Sequence, residues 1–216
     1  LDFIVRAAEV GPNDVVLDIG CGTGLLTAHI ADAVPQGKVI GVEVDRGLLA
    51  ICSRYLEGRA NVELVSSDAL ASKHALSPAL LDAVGRTLAT GQFAALRVVS
   101  NLPYSVASLL VPNLLESGLP IALMLVTVQK EVGERMAGSP GSGEYGALSL
   151  VVQAHATAEV LRSVPPEVFW PRPKVTSCIL RIAPDPARRG LIQDYGTFRE
   201  LVRSAFAYRR KTLANA

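Results

Sequence analysis

An apolar, β-branched run stands directly before three closely spaced glycines in the stretch Val15-Val16-Leu17-Asp18-Ile19-Gly20-Cys21-Gly22-Thr23-Gly24. The run predicts a buried strand, and the glycines predict a tight turn into a helix, because glycine lets the backbone approach a ligand closely. Open α/β sheets bind ligands beyond the carboxyl ends of their strands. The stretch therefore predicts an α/β sheet with a ligand-binding loop after its first strand.

The same alternation of β-branched runs and helical patterns continues along the chain. Strands are predicted at residues 15–19, 38–43, 62–66, 96–100 and 121–128, and helices at 24–34, 47–56, 75–89, 105–115, 129–136 and 147–155. This alternation is typical of parallel strands joined by right-handed crossovers. Two further β-like runs, 159–164 and 176–182, flank a proline-rich connection that is too rigid for a helix, so they predict an antiparallel finish to the sheet.

The length predicts one main domain with room for an appendage. We assign residues 1–183 to that domain. Residues 184–190 are predicted to be a linker, and apolar residues from Phe198 onward recur at helical spacing. Residues 184–216 are therefore interpreted as the linker and the beginning of a small, basic, helical C-terminal domain.

Charge is divided unevenly along the chain. Residues 1–160 carry 10 Lys/Arg against 16 Asp/Glu, whereas residues 161–216 carry 11 against 4. A basic segment of this kind often meets nucleic acid. On charge alone, a solvated Arg-rich helix is an equally good interpretation.

Composition excludes several classes of protein. Half the residues are hydrophobic and 19% are charged, which excludes a disordered chain, and no apolar run is long enough for a transmembrane helix. Cys21, Cys52 and Cys178 are odd in number and widely spaced, so they suggest neither a disulfide framework nor a zinc site. We expect a monomer without metal in a reducing, cytoplasmic compartment. The chain begins without Met, so we interpret it as part of a longer protein.

The spacing of the glycines indicates which ligand the loop would hold. Gly20, Gly22 and Gly24 follow a G-x-G-x-G pattern rather than G-x-G-x-x-G, and Asp18 stands two positions before the first glycine. The ammonium of a methionine moiety can use carboxylate and carbonyl acceptors, whereas a pyrophosphate needs donors. The pattern favours S-adenosylmethionine over a dinucleotide, and a purely structural tight turn remains an alternative.

Acidic residues follow the second and third predicted strands. Glu43 closes the second strand, where a carboxylate binds ribose hydroxyls in nucleotide-binding sheets. Asp45 is interpreted as the cap of the next helix. Asp68 directly follows the third strand and is a candidate acceptor for the cofactor's adenine amine, although a helix cap would explain it nearly as well.

The segment Asn101-Leu102-Pro103-Tyr104 ends the fourth predicted strand, at the same edge of the sheet. The amide oxygen of Asn101 and the carbonyl of Leu102 could hold both N6 hydrogens of an adenine and turn its lone pair toward a sulfonium methyl group. Pro103 would fix the turn that exposes this carbonyl, and Tyr104 would stack on the base. The alternative is a proline turn beside a core tyrosine.

At this point the sequence resembles the KsgA-type ribosomal RNA adenine dimethyltransferases over almost its whole length. The resemblance rests on the motifs above and on the stretches 129–135, 143–149, 168–175 and 206–213. It implies a Rossmann-like class I S-adenosylmethionine-dependent fold. It also implies dimethylation of N6 on each of two adjacent adenosines near the 3′ end of small-subunit rRNA, as part of small-subunit biogenesis. The family pattern has Glu where Asp18 stands, and the family's N-terminal Gln-Asn-Phe-Leu segment and most of its C-terminal helical domain are not in this sequence.

The resemblance also implies that Phe169 faces Tyr104 across the target base, although a plain core role for Phe169 stays open. The catalytic candidates are Asn101, Leu102, Pro103, Tyr104 and Phe169. The cofactor candidates are Asp18, Gly20, Gly22, Gly24, Glu43, Asp68 and Asn101. The RNA-binding candidates are Arg172, Lys174, Arg209, Arg210 and Lys211.

Two other functions remain as alternatives. A non-catalytic ribosome-assembly or RNA-binding factor could keep the same fold. An NAD-dependent oxidoreductase is disfavoured by the glycine spacing and by Asn-Leu-Pro-Tyr. His29, His74 and His155 are isolated in the sequence, so they are interpreted as surface or core residues rather than ligands.

Overall fold

The structure is a computed structural model that describes residues 1–207. It contains a seven-stranded, mostly parallel sheet and a short two-stranded hairpin. The strands are β1 (Val15–Ile19), β2 (Lys38–Glu43), β3 (Val62–Ser66), β4 (Leu70–Ser72), β5 (Ala75–Leu76), β6 (Leu96–Asn101), β7 (Ile121–Gln129), β8 (Ala156–Val164) and β9 (Ser177–Pro184). The α-helices are α1 (Asp2–Ala7), α2 (Leu25–Ala33), α3 (Arg46–Tyr55), α4 (Pro78–Leu88), α5 (Ala107–Glu116), α6 (Lys130–Ala137), α7 (Ala147–Gln153), α8 (Pro186–Gly190) and α9 (Tyr195–Ala207).

The order of the strands places a switch point at the centre of the sheet. The order is β3-β2-β1-β6-β7-β9-β8, and the first five strands in this order are parallel to one another. β9 lies antiparallel to both β7 and β8, as the sequence predicts. The chain winds outward in both directions from the neighbours β1 and β6. Ligands of open α/β sheets bind in the crevice at such a point.

Alternate residues of each strand build a core on either face of the sheet. In β1, Leu17 packs on the side of α4 and α5, whereas Val16 packs with α1 and α2. Both side chains are fully buried. Successive side chains of a strand point to opposite faces, and helices cover both faces here. The continuous apolar runs of the sequence follow from this burial on two sides.

Three features differ from the predicted elements. The predicted helix over residues 75–89 begins only at Pro78, capped by Ser77, because residues 70–76 form the β4–β5 hairpin. The predicted linker contains the short helix α8, whose first turn is capped by Asp185. The proline-rich connection contains one 3-10 turn at Pro166–Val168. Within residues 1–207, no helix is long and apolar enough to cross a membrane.

The last helix, α9, is attached to the main sheet domain by charged and aromatic contacts. Arg199 forms a two-pronged ion pair with Glu116 at the end of α5. The ring of Tyr195 stacks on the buried ring of His155, with 4.7 Å between ring centroids. Burial and the nearby Arg189 and Arg199 lower the pKa of His155 to about 4. This histidine is therefore neutral near pH 7.

A buried ion pair lies at the amino-terminal edge of the sheet, away from the switch point. Arg97 Nε donates to Asp14 Oδ2 at 2.6 Å, and Arg97 Nη1 donates to the carbonyl of Ala8. The Asp14 side chain is almost fully buried. Removing the arginine would leave the carboxylate in the interior without its partner.

Arg97→Ala should lower the free energy of unfolding by about 3–5 kcal/mol, because breaking a buried pair leaves an uncompensated charge. Arg86→Ala is the matched control: Arg86 pairs with Glu63 at 3.0 Å but is two-thirds exposed, so its loss should cost less than about 1 kcal/mol. Urea unfolding of the three proteins measures both values. Equal losses in the two variants would contradict the assignment.

Candidate active site

The glycine loop between β1 and α2 needs backbone conformations that other residues rarely adopt. Gly20, Gly22 and Gly24 have φ angles of +73°, +56° and +87°. A Cβ on Gly24 would lie 2.8 Å from the sulfur of Cys52, whereas a Cβ on Gly22 would meet nothing closer than 4.0 Å. The loop is therefore tightly packed at Gly24 and open at Gly22, where a ligand could approach the backbone.

Glu43 joins the ends of β1 and β2. One carboxylate oxygen accepts a hydrogen bond from the N–H of Gly22 at 2.9 Å, and the other accepts from the N–H of Asp45 at 2.9 Å. Glu43 is buried. A carboxylate with two oxygens has about four acceptor positions, so two remain for a ligand's hydroxyl groups.

Asp18 lies beneath the loop rather than on its surface. It is 1% exposed, and Thr27 Oγ1 donates to its carboxylate at 2.7 Å. Burial raises the pKa of Asp18 to about 7; the Thr27 hydrogen bond opposes this shift and the charge of Glu43 adds to it. The loop therefore rests on a carboxyl group that titrates near neutral pH.

The two other acidic candidates occupy the places that the sequence predicts. Asp45 caps α3, accepting from the N–H groups of Gly47 and Leu48 at 2.7 and 2.9 Å. Asp68 follows β3, is exposed, and accepts from the N–H of Leu70 at 2.9 Å. Its other carboxylate oxygen remains available at the carboxyl edge of the sheet.

Asn101 is the last residue of β6, next to the switch point. Its side chain is exposed, and no hydrogen bond from residues 1–207 engages its amide. The next residue, Leu102, buries its side chain and donates its N–H to the carbonyl of Thr127 at 3.1 Å. Two polar groups, the Asn101 carboxamide and the Leu102 carbonyl, thus follow one another where the strand ends.

Pro103 brings this segment into contact with the glycine loop. A Cβ on Gly20 would lie 2.9 Å from Cδ of the proline ring. Only glycine leaves room for the ring at this point. The loop after β1 and the loop after β6 are therefore packed directly against each other.

The aromatic candidates meet in one cavity of about 250 Å³. It is lined by Asn101, Leu102, Pro103, Tyr104, Phe169, Trp170, Pro171 and Pro173. The hydroxyls of Tyr104 and the buried Ser177 are 2.5 Å apart, which fixes the tyrosine ring. The structure thus brings together all five residues that the sequence names as catalytic candidates.

A second cavity, of about 340 Å³, adjoins the first through Asn101 and Phe169. It also includes Phe3 of α1, and the guanidinium of Arg162 lies 5.6 Å from the centroid of that ring. Neither residue was predicted to be near the site. Their sequence surroundings carry no motif, because the proximity arises only when α1 packs beside β8.

No motif in the sequence identifies Ser100 as part of the site. This buried residue accepts a hydrogen bond from the N–H of Ile19 at 2.8 Å through its hydroxyl. The paired register of β1 and β6 ends at Leu17 and Val98, so this bond continues the connection to the strand tips. Its only signal in the sequence is a small polar residue within an apolar strand.

Two of the five basic candidates lie within the described residues. Arg172 is exposed and pairs with Glu167 across the proline-rich loop, and Lys174 is exposed and directly follows Pro173, which lines the cavity. Arg209, Arg210 and Lys211 lie outside the described residues. Among residues 1–207, no cluster of three or more His, Cys, Asp or Glu side chains could hold a metal ion.

Replacing Asp18 by Asn should change how stability depends on pH. Asp18 titrates near 3.8 in the unfolded chain and near 7 in the folded protein, so between these values the folded protein binds the extra proton. The free energy of unfolding should then fall as pH rises through this window, by up to about 1.4 kcal/mol per pH unit from this group. Asp18→Asn keeps an acceptor for Thr27 and should remove this fall.

Urea unfolding from pH 5 to pH 8 without ligand tests this expectation. The pH dependence from His155 is common to both proteins and cancels in their difference. The exposed Asp68→Asn is the control and should follow the unsubstituted protein. Parallel curves for Asp18→Asn and the unsubstituted protein would refute the assigned titration.

The family model described as "Ribosomal RNA adenine dimethylase" matches residues 1–216. The chain is 40% identical over 220 residues to "Ribosomal RNA small subunit methyltransferase A" of Pelotomaculum thermopropionicum, covering 100% of the chain and 72% of that protein. It is 42% identical over 213 residues to the protein of the same name from Moorella thermoacetica, covering 99% and 72%.

A solved structure agrees with these relatives. The crystal structure of a dimethyladenosine transferase from Plasmodium falciparum superposes with a TM-score of 0.79 and 28% sequence identity, covering 98% of this chain and 70% of that one. The fold and the family that the sequence resembles are thereby confirmed. The chain belongs to the ribosomal RNA adenine dimethylase family.

Proposed function

We propose that this protein transfers methyl groups from S-adenosylmethionine to N6 of two adjacent adenosines near the 3′ end of small-subunit rRNA, giving N6,N6-dimethyladenosine. One observation carries the proposal: the unengaged Asn101 carboxamide shares a cavity with Tyr104 and Phe169 and lies beside the glycine loop. Two relatives are named as small-subunit rRNA methyltransferases, which is the same class of enzyme. The proposed enzyme acts as a cytoplasmic monomer on the immature small subunit.

The chemistry of the loop fits S-adenosylmethionine better than a dinucleotide. A pyrophosphate would need the free N–H groups of the loop, but the N–H of Gly22 already donates to Glu43. The carboxylate of Glu43 would also repel it, whereas Asp18, with a pKa of about 7, carries only part of a negative charge near neutral pH. A carboxylate at this place favours a ligand that carries an ammonium, a sulfonium and ribose hydroxyls. This observation also argues against an NAD-dependent oxidoreductase.

Each end of the donor has residues suited to hold it. The open side of the glycine loop would hold the methionine moiety, above the buried Asp18. Glu43 would accept from the ribose hydroxyls, and Asp68 would accept from the adenine amine. S-adenosylmethionine supplies a methyl group on a positively charged sulfur. The chain's own residues orient the acceptor toward it.

Asn101 and Leu102 prepare the adenine nitrogen for transfer. The N6 lone pair of adenine is delocalised into the ring, so the amine is a poor nucleophile. Acceptance of its two hydrogens by Asn101 Oδ1 and the Leu102 carbonyl favours a tetrahedral nitrogen with a localised lone pair. No strong base is required, because N6 becomes cationic when it gains the methyl group and its proton can then pass to water. Holding the reactants in this geometry provides much of the remaining rate enhancement.

Tyr104 and Phe169 clamp the base on its two faces. Such sandwiching is the usual way in which unstacked RNA bases are held. The bond between the Tyr104 and Ser177 hydroxyls fixes one ring in advance, so less conformational freedom is lost on binding. Arg172 and Lys174 are the sequence neighbours of Pro173, which lines the cavity, and are proposed to meet phosphates of the same strand.

The domain division remains part of the proposal. We assign residues 1–183 to the catalytic domain and residues 184–216 to a linker and the beginning of a helical RNA-binding domain. The contacts of α9 with Glu116 and His155 support a defined attachment of this second part. Arg209, Arg210 and Lys211 are proposed to bind rRNA phosphates.

Asn101→Ala should lower kcat for methyl transfer to unmodified small subunits by roughly 100- to 1000-fold, the range for losing one preorganised hydrogen-bonding group. The affinity for S-adenosylmethionine should fall less than kcat, because Asn101 is only one of the cofactor candidates and the loop, Glu43 and Asp68 remain. Labelled-methyl transfer and calorimetry measure the two quantities. Tyr104→Phe, which keeps the ring, should reduce transfer far less than Tyr104→Ala.

Asn13→Ala is the matched control, since the partly buried Asn13 donates its amide to the Gln92 carbonyl in an exposed hydrogen bond away from the cavity. It should transfer methyl groups at the unsubstituted rate. Undiminished transfer by Asn101→Ala would sink the proposed mechanism. Absence of both transfer and donor binding in the unsubstituted protein would sink the proposed function.

A further inference from the structure

Trp170 is the most exposed large apolar side chain beside the candidate active site. It is 96% exposed, although it follows Phe169, which is partly buried in the cavity. Tryptophan is usually well covered in folded proteins, so a side chain this exposed suggests a surface for a partner. Trp170 lines the same cavity as Asn101 and Tyr104, at its rim.

The backbone that carries Trp170 is stiffened on both sides. Proline fixes φ at four positions in this connection: Pro165, Pro166, Pro171 and Pro173. The 3-10 turn at Pro166–Val168 ends with the Phe169 N–H donating to the Pro166 carbonyl at 3.2 Å. The ion pair between Glu167 and Arg172 spans the tryptophan. The backbone that carries the exposed indole is therefore ordered. Less backbone conformational entropy is then lost when the indole binds a partner.

We infer that Trp170 is a positioning residue whose indole stacks on the nucleobase next to the target adenosine. This inference rests on the proposed function and extends it to a second nucleotide. When one base leaves its stack to enter the cavity, the neighbouring base loses a stacking partner. An exposed aromatic face at the rim of that cavity can replace it, and such stacking does not depend on which base it is.

The charges around Trp170 favour RNA as the occupant. Lys174 is exposed four residues from Trp170 and forms no ion pair within residues 1–207, so a phosphate backbone passing the rim would meet positive charge there. Arg172 is also exposed, but its charge is paired with that of Glu167. A base in the cavity between Tyr104 and Phe169 also fixes where its neighbour must lie, because adjacent nucleotides are covalently joined. Continuity with the cavity therefore selects a nucleobase rather than an unrelated protein surface.

Substitution separates this role from a structural one. Trp170→Ala should raise KM for unmodified small subunits by roughly 5- to 150-fold, the range for losing one base–aromatic stack. Its kcat at saturating subunits and its thermal unfolding temperature should stay close to those of the unsubstituted protein. Trp170→Phe, which keeps an aromatic face, should recover most of the loss. Leu191→Ala is the control, because Leu191 is 83% exposed but follows α8, which lies at the other end of the β8–β9 pair from the connection that carries Trp170.

Fluorescence gives a second readout, because Trp170 is the single tryptophan of the sequence. An adenosine hexanucleotide should quench its emission in a saturable manner. The quenching should persist in Leu191→Ala, because Leu191 does not line the cavity. If Trp170 served only to maintain the fold, the oligonucleotide would leave its emission unchanged, and the inference would be overturned.

The outcomes distinguish this inference from the proposed function. A raised KM in Trp170→Ala, its recovery in Trp170→Phe and quenching by the oligonucleotide support the stack. An unchanged KM in Trp170→Ala, while the unsubstituted protein methylates normally, overturns the inference and leaves the proposed function standing. Failure of the unsubstituted protein to methylate any rRNA would overturn both.

Discussion

The packing of Pro103 against the Cα of Gly20 is the contact on which the candidate active site depends. It joins the loop that follows β1 to the loop that follows β6, at the switch point of the sheet. A side chain at Gly20 would occupy the space of the proline ring, and the positive φ of this residue also favours glycine. The hydrogen bond from Ile19 to Ser100 connects the same two strands one step below. Together they fix the distance between the cofactor loop and the groups that face the adenine.

Glu43 determines the chemical character of the site beside that contact. In a dinucleotide-binding sheet, the N–H groups of the glycine loop are left for a pyrophosphate. Here the Glu43 carboxylate already accepts from the Gly22 N–H, and Asp18, whose pKa is raised to about 7, carries only part of a negative charge below the loop near neutral pH. The resulting field is unfavourable for an anion and favourable for a cationic donor. The same carboxylate therefore both holds the loop and selects the class of ligand.

The features that can be predicted from the sequence are those formed by residues that are close together in the chain. The run ending in Gly24 predicts a strand, a turn and a helix by itself, and Asn101 was found because it follows a β-branched run at the same edge. Phe169 was identified only through the family resemblance, since about seventy residues separate it from Asn101. The β4–β5 hairpin was missed because its strands are only three and two residues long. The bonds of Ser100 and Ser177 and the contact between Gly20 and Pro103 join distant segments, so no spacing along the chain reveals them.

A crystal structure of the protein with S-adenosylhomocysteine and an adenosine-containing RNA would test the central claim most directly. The account predicts one adenine between Tyr104 and Phe169, with its N6 within about 3.2 Å of both Asn101 Oδ1 and the Leu102 carbonyl oxygen. The sulfur should lie on the other side of N6, over the glycine loop. An adenine bound elsewhere, or an Asn101 carboxamide turned away from N6 while the cavity is filled, would contradict it.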